Sequence, residues 1–235
     1  MPVREALALL TTVGGARPLS ARALPWFPVV GALLGATLGA AWWAADRVWP
    51  PALAAALVVA ADLALTGMLH VDGLADSADG LLPHAPRARR LEIMRTPGIG
   101  AYACAVVATV LVLRVTALAA TGPEPFVVAA IWCAGRATVA SVPAVVPYAR
   151  DTGIASTLAV RDAARWPASA AVPAAIVASV DAGVAGLVAV VVTASVVVAT
   201  IALGVRRLGG FTGDVLGAAI VLGETAGLVA LGARW

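Results

Sequence analysis

Residues 168–204 read ASAAVPAAIVASVDAGVAGLVAVVVTASVVVATIALG and contain one charged residue, Asp181. A helix of about 20 apolar residues crosses a hydrocarbon layer of about 30 Å, so this stretch is too long for one ordinary membrane span. Asp181 and the nearby Gly183 interrupt its apolar character. The stretch therefore predicts either one strongly tilted helix or two helices joined near Asp181.

The rest of the chain has the same apolar character. Hydrophobic residues make up 61% of the 235 residues and charged residues 12%, whereas soluble domains contain about 45–50% apolar residues. This composition excludes a soluble protein with one core and predicts an all-α, polytopic transmembrane helical bundle. No internal repeat divides the chain, so residues 1–235 form a single integral-membrane domain. The predicted spans are 27–45, 51–69, 99–118, 126–147, 168–180, 183–204 and 215–233.

The arginines favour two crossings within 168–204. An excess of Arg in short loops marks the cytoplasmic side of a membrane protein. With two crossings there, and seven in all, every Arg-rich loop falls on one side; with one crossing, the Arg206–Arg207 loop moves to the other side. We therefore predict seven crossings. The Arg-bearing segments are Arg4/Arg17/Arg22, Arg87/Arg89/Arg90/Arg95, Arg150/Arg161/Arg165 and Arg206/Arg207.

Three further features exclude other classes of protein. The net charge of +3 does not indicate a nucleic-acid partner, because the arginines lie in short loops with few aromatic residues beside them. Cys104 and Cys133 lie inside apolar runs, which favours packing over a disulfide or a metal site. Residues 1–22 carry Glu5 and only a short apolar stretch, which predicts a short helix at the membrane interface and no cleaved signal peptide.

The chemistry is concentrated in residues 66–83, TGMLHVDGLADSADGLLP, where a predicted span runs into three carboxylates. On a helix, Asp72, Asp76 and Asp79 share one face within two turns and repel each other. The range 70–83 offers no basic residue apart from His70. Mg²⁺ takes carboxylate oxygens and usually bridges them to substrate phosphates, so we predict that these three residues bind Mg²⁺. The alternative is a solvated acidic helix end.

Residues 66–103 thus form the acidic motif and the loop that follows it. Within this segment, His70 has two interpretations, a hydrogen-bonded structural residue or a catalytic general base. Glu92 and Arg95 are spaced as a surface ion pair, but their position after the motif also makes them candidate substrate contacts.

The last third of the chain carries the other candidates. Arg136 lies near the centre of a predicted span, where a charge needs an internal partner, and Glu224 is its candidate partner; either residue could instead contact substrate. Gly213 and Asp214 follow a glycine-rich turn at a helix start, a position suited to phosphate binding or to an N-cap. Arg114 is close enough to a span end to reach solvent and is assigned no role.

Three stretches together resemble the cobalamin-5′-phosphate synthase family. They are LHVDGLADSADGLL from Leu69, RRLEIMRTPGIGAYA at 89–103 and LGGFTGDVLGAAIVLGE at 208–224. The resemblance implies a Mg²⁺-dependent enzyme of the bacterial inner membrane, with its active site facing the cytoplasm. Its implied substrates are adenosylcobinamide-GDP and α-ribazole or α-ribazole 5′-phosphate, GMP is released, and Asp72, Asp76 and Asp79 belong to the active site.

Two other functions remain as alternatives. A CDP-alcohol phosphotransferase also places aspartates at the end of a membrane helix, but its motif spaces them differently. A cation-coupled transporter would use acids for ion binding, although such sites usually lie at the membrane midplane between inverted repeats. The sequence leaves the oligomeric state open, and a homo-oligomer is compatible with it.

Overall fold

The computed structural model describes residues 1–15, 17–158 and 166–233, which are predominantly helical. Apart from an isolated bridge between Tyr148 and Phe211, these residues contain no β-structure, so the all-α prediction is confirmed. The α-helices of this part of the chain are α1 (Pro2–Leu10), α2 (Phe27–Ala45), α3 (Pro51–Thr66), α4 (Leu69–Leu81), α5 (Arg87–Ile93), α6 (Ala101–Ala120), α7 (Pro125–Ala140), α8 (Ala171–Leu208) and α9 (Gly213–Leu231).

Several of these helices are long and apolar enough to span a membrane. Among the described residues, five segments meet this condition by length and composition, and α3 with α4 would make a sixth. The chain is therefore a multi-pass membrane protein. The five segments are Ala21–Ala45, Ala101–Ala120, Pro125–Ala144, Trp166–Leu208 and Gly213–Leu231.

The predicted span 51–69 ends earlier than the sequence suggested. The helix α3 stops at Thr66, and Gly67 and Met68 both have φ near 58°. The amide of Met68 donates to Leu63 O at 3.0 Å, the bond that closes a helix C-terminus of this type. Because of this turn, α4 leaves α3 at 91° and carries the acidic motif away from the line of the span.

The helix α8 folds back on itself. Ala182 and Gly183 have non-helical dihedral angles, and a Cβ built on Gly186 would overlap the carbonyl oxygen of Ala178. Residues eight apart in a continuous helix are separated by about 12 Å along its axis, so this contact requires a sharp reversal. Its two arms, 171–181 and 184–208, correspond to the predicted pair 168–180 and 183–204.

Contacts between loops define the two ends of the bundle. Ala168 N donates to Ser141 Oγ at 2.9 Å, and the return arm of α8 ends where Arg87 Nε donates to Leu208 O at 2.6 Å. At the opposite end, burial and the nearby charge of Asp181 raise the pKa of Glu124, so the segment before α7 lies beside the reversal in α8. The loop after Leu208 thus lies at the same end as α5, as the two-crossing interpretation requires. The seven-crossing topology itself stays a prediction.

Small residues bring the central helices together. On α2, Gly31, Gly35 and Gly39 face α7, and a Cβ on Gly35 would lie 2.7 Å from Val128 O. This spacing of four residues allows two backbones to approach closely, which is the usual means of helix association in membranes. The resulting α2–α7 contact forms one wall of the bundle around the site.

Candidate active site

The acidic motif on α4 packs directly against the start of α9. A Cβ on Gly73 would lie 2.8 Å from Asp214 O, and one on Gly217 would lie 3.3 Å from the Cα of His70. The absence of side chains at these two glycines permits the close approach. It places Asp72 and Asp76 of α4 beside Asp214 of α9, at the end of the bundle that also holds α5.

A loop arginine completes this cluster. Arg150 Nη2 lies 2.6 Å from Asp214 Oδ2, and the Arg150 side chain is 10% exposed. Its Nε is buried and has no hydrogen-bond partner among the described residues. Arg150 therefore balances part of the negative charge and retains an unused donor inside the protein.

Backbone pairing holds the Arg150 loop against the start of α9. The amide of Phe211 donates to Pro147 O at 2.9 Å, and the amide of Ala149 donates to Phe211 O at 2.8 Å. Arg87 Nη2 donates to Ala149 O at 2.9 Å, in addition to its bond with Leu208. Arg87, predicted as a topology signal, thus fixes the segment that presents Arg150.

Asp214 is not the N-cap of α9, which was one of its two interpretations from the sequence. Thr212 is the N-cap, and its Oγ1 accepts from Val215 N at 3.2 Å. Asp214 lies in the first turn of the helix, where a negative charge is favoured by the helix dipole. Asp214 is therefore free to serve the cluster because Thr212 performs the capping.

Burial and neighbouring carboxylates raise the proton affinity of Asp76. Burial, followed by the charges of Asp214 and Asp72, raises the pKa of Asp76 to about 6. No set of three or more His, Cys, Asp or Glu side chains converges on a metal position in the described ranges. Mg²⁺ needs only one or two carboxylate ligands and keeps several waters. Neighbouring carboxylates that repel each other therefore fit this ion.

Asp79 faces a different neighbour. Its Oδ2 accepts from Gly100 N at 2.6 Å, and its Oδ1 accepts from Ala103 N at 3.0 Å. Both oxygens therefore satisfy free amides at the start of α6, as a capping carboxylate does. The three acids share a face of α4, but Asp79 anchors α6 whereas Asp72 and Asp76 face the cluster with Asp214.

A cavity of about 240 Å³ opens beside the cluster. Its polar lining residues are His70, Asp72, Tyr148, Arg150 and Asp214, and Gly213 also lines it. Its other walls are apolar and come from α1, α2, α7, α9 and the segment around Ala155. The helix predicted within residues 1–22 is α1, and its Leu9 and Leu10 line the cavity; its position at the membrane interface stays a prediction.

Glu92 lies on α5 and Arg95 two residues after its end, both on the outer surface. Glu92 pairs with Arg89 at 2.8 Å, and both side chains are more than half exposed. Arg95 is also exposed. Neither residue lines the cavity, so a substrate contact by either one stays a prediction.

Arg136 and Glu224 pair deep in the bundle, as their charges predicted. Arg136 Nη1 donates to Glu224 Oε1, and both side chains are at most 2% exposed. Neither residue lines the cavity. Their pairing supports the structural interpretation over direct substrate binding.

Two residues that the sequence left without a role join this pair. Arg114 Nη2 lies 2.7 Å from Glu224 Oε2, and its Nη1 lies 2.6 Å from Asp62 Oδ2. The expectation that Arg114 reaches solvent is wrong, because its side chain is 4% exposed. Two arginines and two acids on α3, α6, α7 and α9 thus form a buried network with no net formal charge.

Arg150 and Tyr148 are the site residues that sequence reasoning missed. The sequence pattern indicates Arg150 only as a topology signal and gives no role to Tyr148. The two flank Ala149, whose amide pairs with Phe211 in the glycine-rich turn. A polar Tyr-Ala-Arg segment directly after an apolar span was the available signal, but its partner segment lies some sixty residues further along the chain.

Comparison with known proteins places the chain among one group of enzymes. The sequence profile of the cobalamin-5-phosphate synthase family matches residues 2–232. An adenosylcobinamide-GDP ribazoletransferase of Alkalilimnicola ehrlichii is 43% identical over 90% of this chain and 84% of its own length. The enzymes of that name from Roseiflexus sp. and Pseudomonas aeruginosa are 35% and 38% identical, over 98% and 89% of this chain and 88% and 86% of their own lengths. No solved structure matches.

Proposed function

Because the chain belongs to the cobalamin-5-phosphate synthase family, and is thus a transferase of cobalamin biosynthesis acting in nucleotide-loop assembly, we propose that it joins adenosylcobinamide-GDP to α-ribazole or its 5′-phosphate. The 3′ hydroxyl oxygen of the ribazole forms a bond to the cobinamide-linked phosphorus. The bond from that phosphorus to the bridging oxygen breaks, GMP leaves, and the hydroxyl proton is taken up by the protein.

One observation links the proposed transfer reaction to this site. Carboxylates of α4 and α9 meet a buried arginine at the polar end of a cavity, where Arg150 lies 2.6 Å from Asp214. In-line transfer between phosphate esters needs positioning and charge neutralisation more than covalent participation by the enzyme. Opposite charges gathered at a cavity mouth provide both.

Of the carboxylates of Asp72, Asp76 and Asp214, one or two would hold Mg²⁺ directly, and the ion would supply charge neutralisation of the diphosphate. Arg150 has an unused Nε and donates to phosphate oxygens of the substrate. Gly213 lines the cavity at the start of α9, so its backbone is accessible to a phosphate and the helix dipole favours the anion.

His70 takes up the hydroxyl proton. It lines the same cavity as Asp72, it is buried, and its backbone packs against Gly217 of α9. An imidazole at that position is suited to general base catalysis, provided that the ribazole hydroxyl lies within hydrogen-bond distance. The buried network around Glu224 holds the helices in register and does not contact substrate.

A direct assay tests the function. Purified protein in detergent is incubated with adenosylcobinamide-GDP, α-ribazole 5′-phosphate and Mg²⁺, and GMP and the cobamide are quantified by chromatography. We expect the two products in equal amounts, loss of both in EDTA, and recovery with added Mg²⁺. Folded protein that releases no GMP would contradict the function, and full activity after thorough metal depletion would contradict the role of Mg²⁺.

The location of the site follows from the same proposal. The Arg-rich end carries the acidic cluster and faces the cytoplasm of the bacterial inner membrane, where nucleotide substrates are available. A homo-oligomer stays a prediction, which the mass of the protein in detergent micelles tests.

A further inference from the structure

The cavity beside the acidic cluster has two chemically distinct halves. Its polar half is formed by the side chains around Arg150 and Asp214. Its apolar half includes Leu10, Phe27, Val139, Leu216 and Ile220, each no more than 7% exposed. None of the side chains that the structure describes in this apolar half donates or accepts a hydrogen bond. A ligand that fills the whole cavity must therefore be polar at one end and apolar at the other.

We propose that this cavity binds the base and ribose of α-ribazole, with the base against the apolar wall and the ribose at the polar end. The proposal rests on the proposed function. The base is a dimethylbenzimidazole, whose six-membered ring carries only C–H and methyl groups. Burying these groups against apolar side chains is favourable, and the unsubstituted imidazole nitrogen is the only acceptor of the base that needs a partner.

The other parts of the two substrates fit the cavity less well. A guanine base would leave several donors and acceptors facing an apolar wall, which is costly for each unpaired group. The corrin ring is too large for a cavity of about 240 Å³, which lies below the range of about 300–1,000 Å³ typical for drug-sized ligands. The corrin and guanosine therefore remain outside, and only the diphosphate reaches Arg150.

This arrangement makes the apolar wall the determinant of base specificity. A wall without hydrogen-bonding groups selects against a purine in the attacking nucleotide, because the polar edge of the purine would be desolvated without compensation. Leu216 is the most useful probe. It lies on α9 one turn after the N-cap Thr212, it lines the cavity, and asparagine approximates its shape.

The test compares two attacking nucleosides, α-ribazole and the α-riboside of adenine, in wild type, Leu216→Asn and a control. The control is Leu228→Asn, which places the same change on the same helix at a buried position outside the cavity lining. We expect Leu216→Asn to shift the ratio of kcat/KM toward the adenine nucleoside by about tenfold or more. Leu228→Asn should leave the ratio as in wild type, even if it lowers stability equally.

A second variant tests the proposal in case Leu216→Asn folds poorly. Ala155 lines the cavity, and its Cβ lies 3.5 Å from the position of a Cβ on Gly213. Ala155→Leu should fill the cavity and raise KM for α-ribazole several-fold, by a clearly larger factor than KM for adenosylcobinamide-GDP, of which only the diphosphate lies near Gly213. An effect confined to adenosylcobinamide-GDP would mean that guanosine occupies the cavity and would overturn the proposal, as would lipid co-purifying in the cavity and not displaced by α-ribazole.

The outcomes separate the two proposals. If wild-type protein releases no GMP with either nucleoside, the proposed function is refuted. Wild-type turnover combined with unchanged base preference in Leu216→Asn and unchanged KM in Ala155→Leu leaves the function standing and refutes the base site.

Discussion

Asp79 differs from Asp72 and Asp76 in what its carboxylate contacts. Its two oxygens accept from the amides of Gly100 and Ala103, so its charge is already engaged at the start of α6. Asp72 is exposed beside other carboxylates and accepts no hydrogen bond from another residue in the described structure. Residues of one type on one helix face thus differ in their contacts: Asp79 anchors the start of α6, whereas Asp72 and Asp76 are the proposed ligand-binding residues.

The difference predicts opposite effects on stability. Asp79→Asn should lower the thermal stability of the detergent-solubilised protein, because one charged acceptor at the start of α6 is lost, at a cost of about 1 kcal/mol. Asp72→Asn is the matched control and should be neutral or slightly stabilising, because it relieves repulsion among the acids. Equal melting temperatures for the two variants would show that Asp79 does not anchor α6.

At the scale of helices, the buried network around Glu224 ties four elements together. Glu224 of α9 pairs with Arg136 of α7 and with Arg114 of α6, and Arg114 also pairs with Asp62 of α3. Removing one member of a buried pair leaves an uncompensated charge and costs about 3–5 kcal/mol in soluble proteins. Because Glu224 serves two arginines, it is the member whose loss should cost most.

A double-mutant cycle tests this network. Arg136→Met and Glu224→Gln should each lower the melting temperature in detergent, Glu224→Gln by more. The double variant should recover part of the loss, because Arg114 retains Asp62 and no buried arginine remains without a partner. Additive losses in the double variant would show that Arg136 and Glu224 do not stabilise each other.

The reversal in α8 is the second feature at this scale. Gly183 has φ 59° and ψ −137°, a conformation that residues with a Cβ rarely adopt. Gly183→Ala should therefore destabilise the protein by about 1–3 kcal/mol. Gly122→Ala provides the control, because Gly122 lies in the loop preceding α7 at the same end of the bundle, and a Cβ there would meet no atom within 4 Å. A loss of stability no larger than the control's would argue against the reversal.

At the scale of the whole molecule, the hairpin in α8 determines which loops share a side. In a background without Cys104 and Cys133, Ala85→Cys and Arg207→Cys should both react with a membrane-impermeant thiol reagent only from the cytoplasm. Gly122→Cys should react only from the opposite side. Labelling of Arg207→Cys from the periplasm would mean that residues 168–204 cross the membrane once.

Some of this architecture could be predicted because a single charged residue in an apolar span has a large energetic cost. Two charges in apolar spans needed partners, so the pairing of Arg136 with Glu224 followed from the sequence. Asp181 and Gly183 likewise indicated a break in a long apolar run. Arg114 was misjudged because its partner Asp62 lies 52 residues away, and chain spacing does not show which helices pack. The bend at Gly67–Met68 was missed because a positive φ at methionine is rare.

The same limit explains the site. The acids of α4 were recognised from their spacing on one helix, which is local information. The meeting of Asp72 with Asp214, and of Asp214 with Arg150, depends on α4 packing on α9 and on the pairing of residues 147–149 with Phe211. These contacts arise from tertiary packing, so the sequence indicated the members of the site more completely than their arrangement.

The most direct test of the central claim is single-turnover GMP release from adenosylcobinamide-GDP and α-ribazole 5′-phosphate by wild type, Asp72→Asn, Asp76→Asn and Asp214→Asn. Each variant removes a ligand charge with little change in volume, and each should fold and insert as wild type does. We expect each rate to fall by about 100-fold or more, since electrostatic groups at reacting centres contribute on that order. Near-wild-type rates in any two of the three variants would contradict the assignment of catalysis to this cluster.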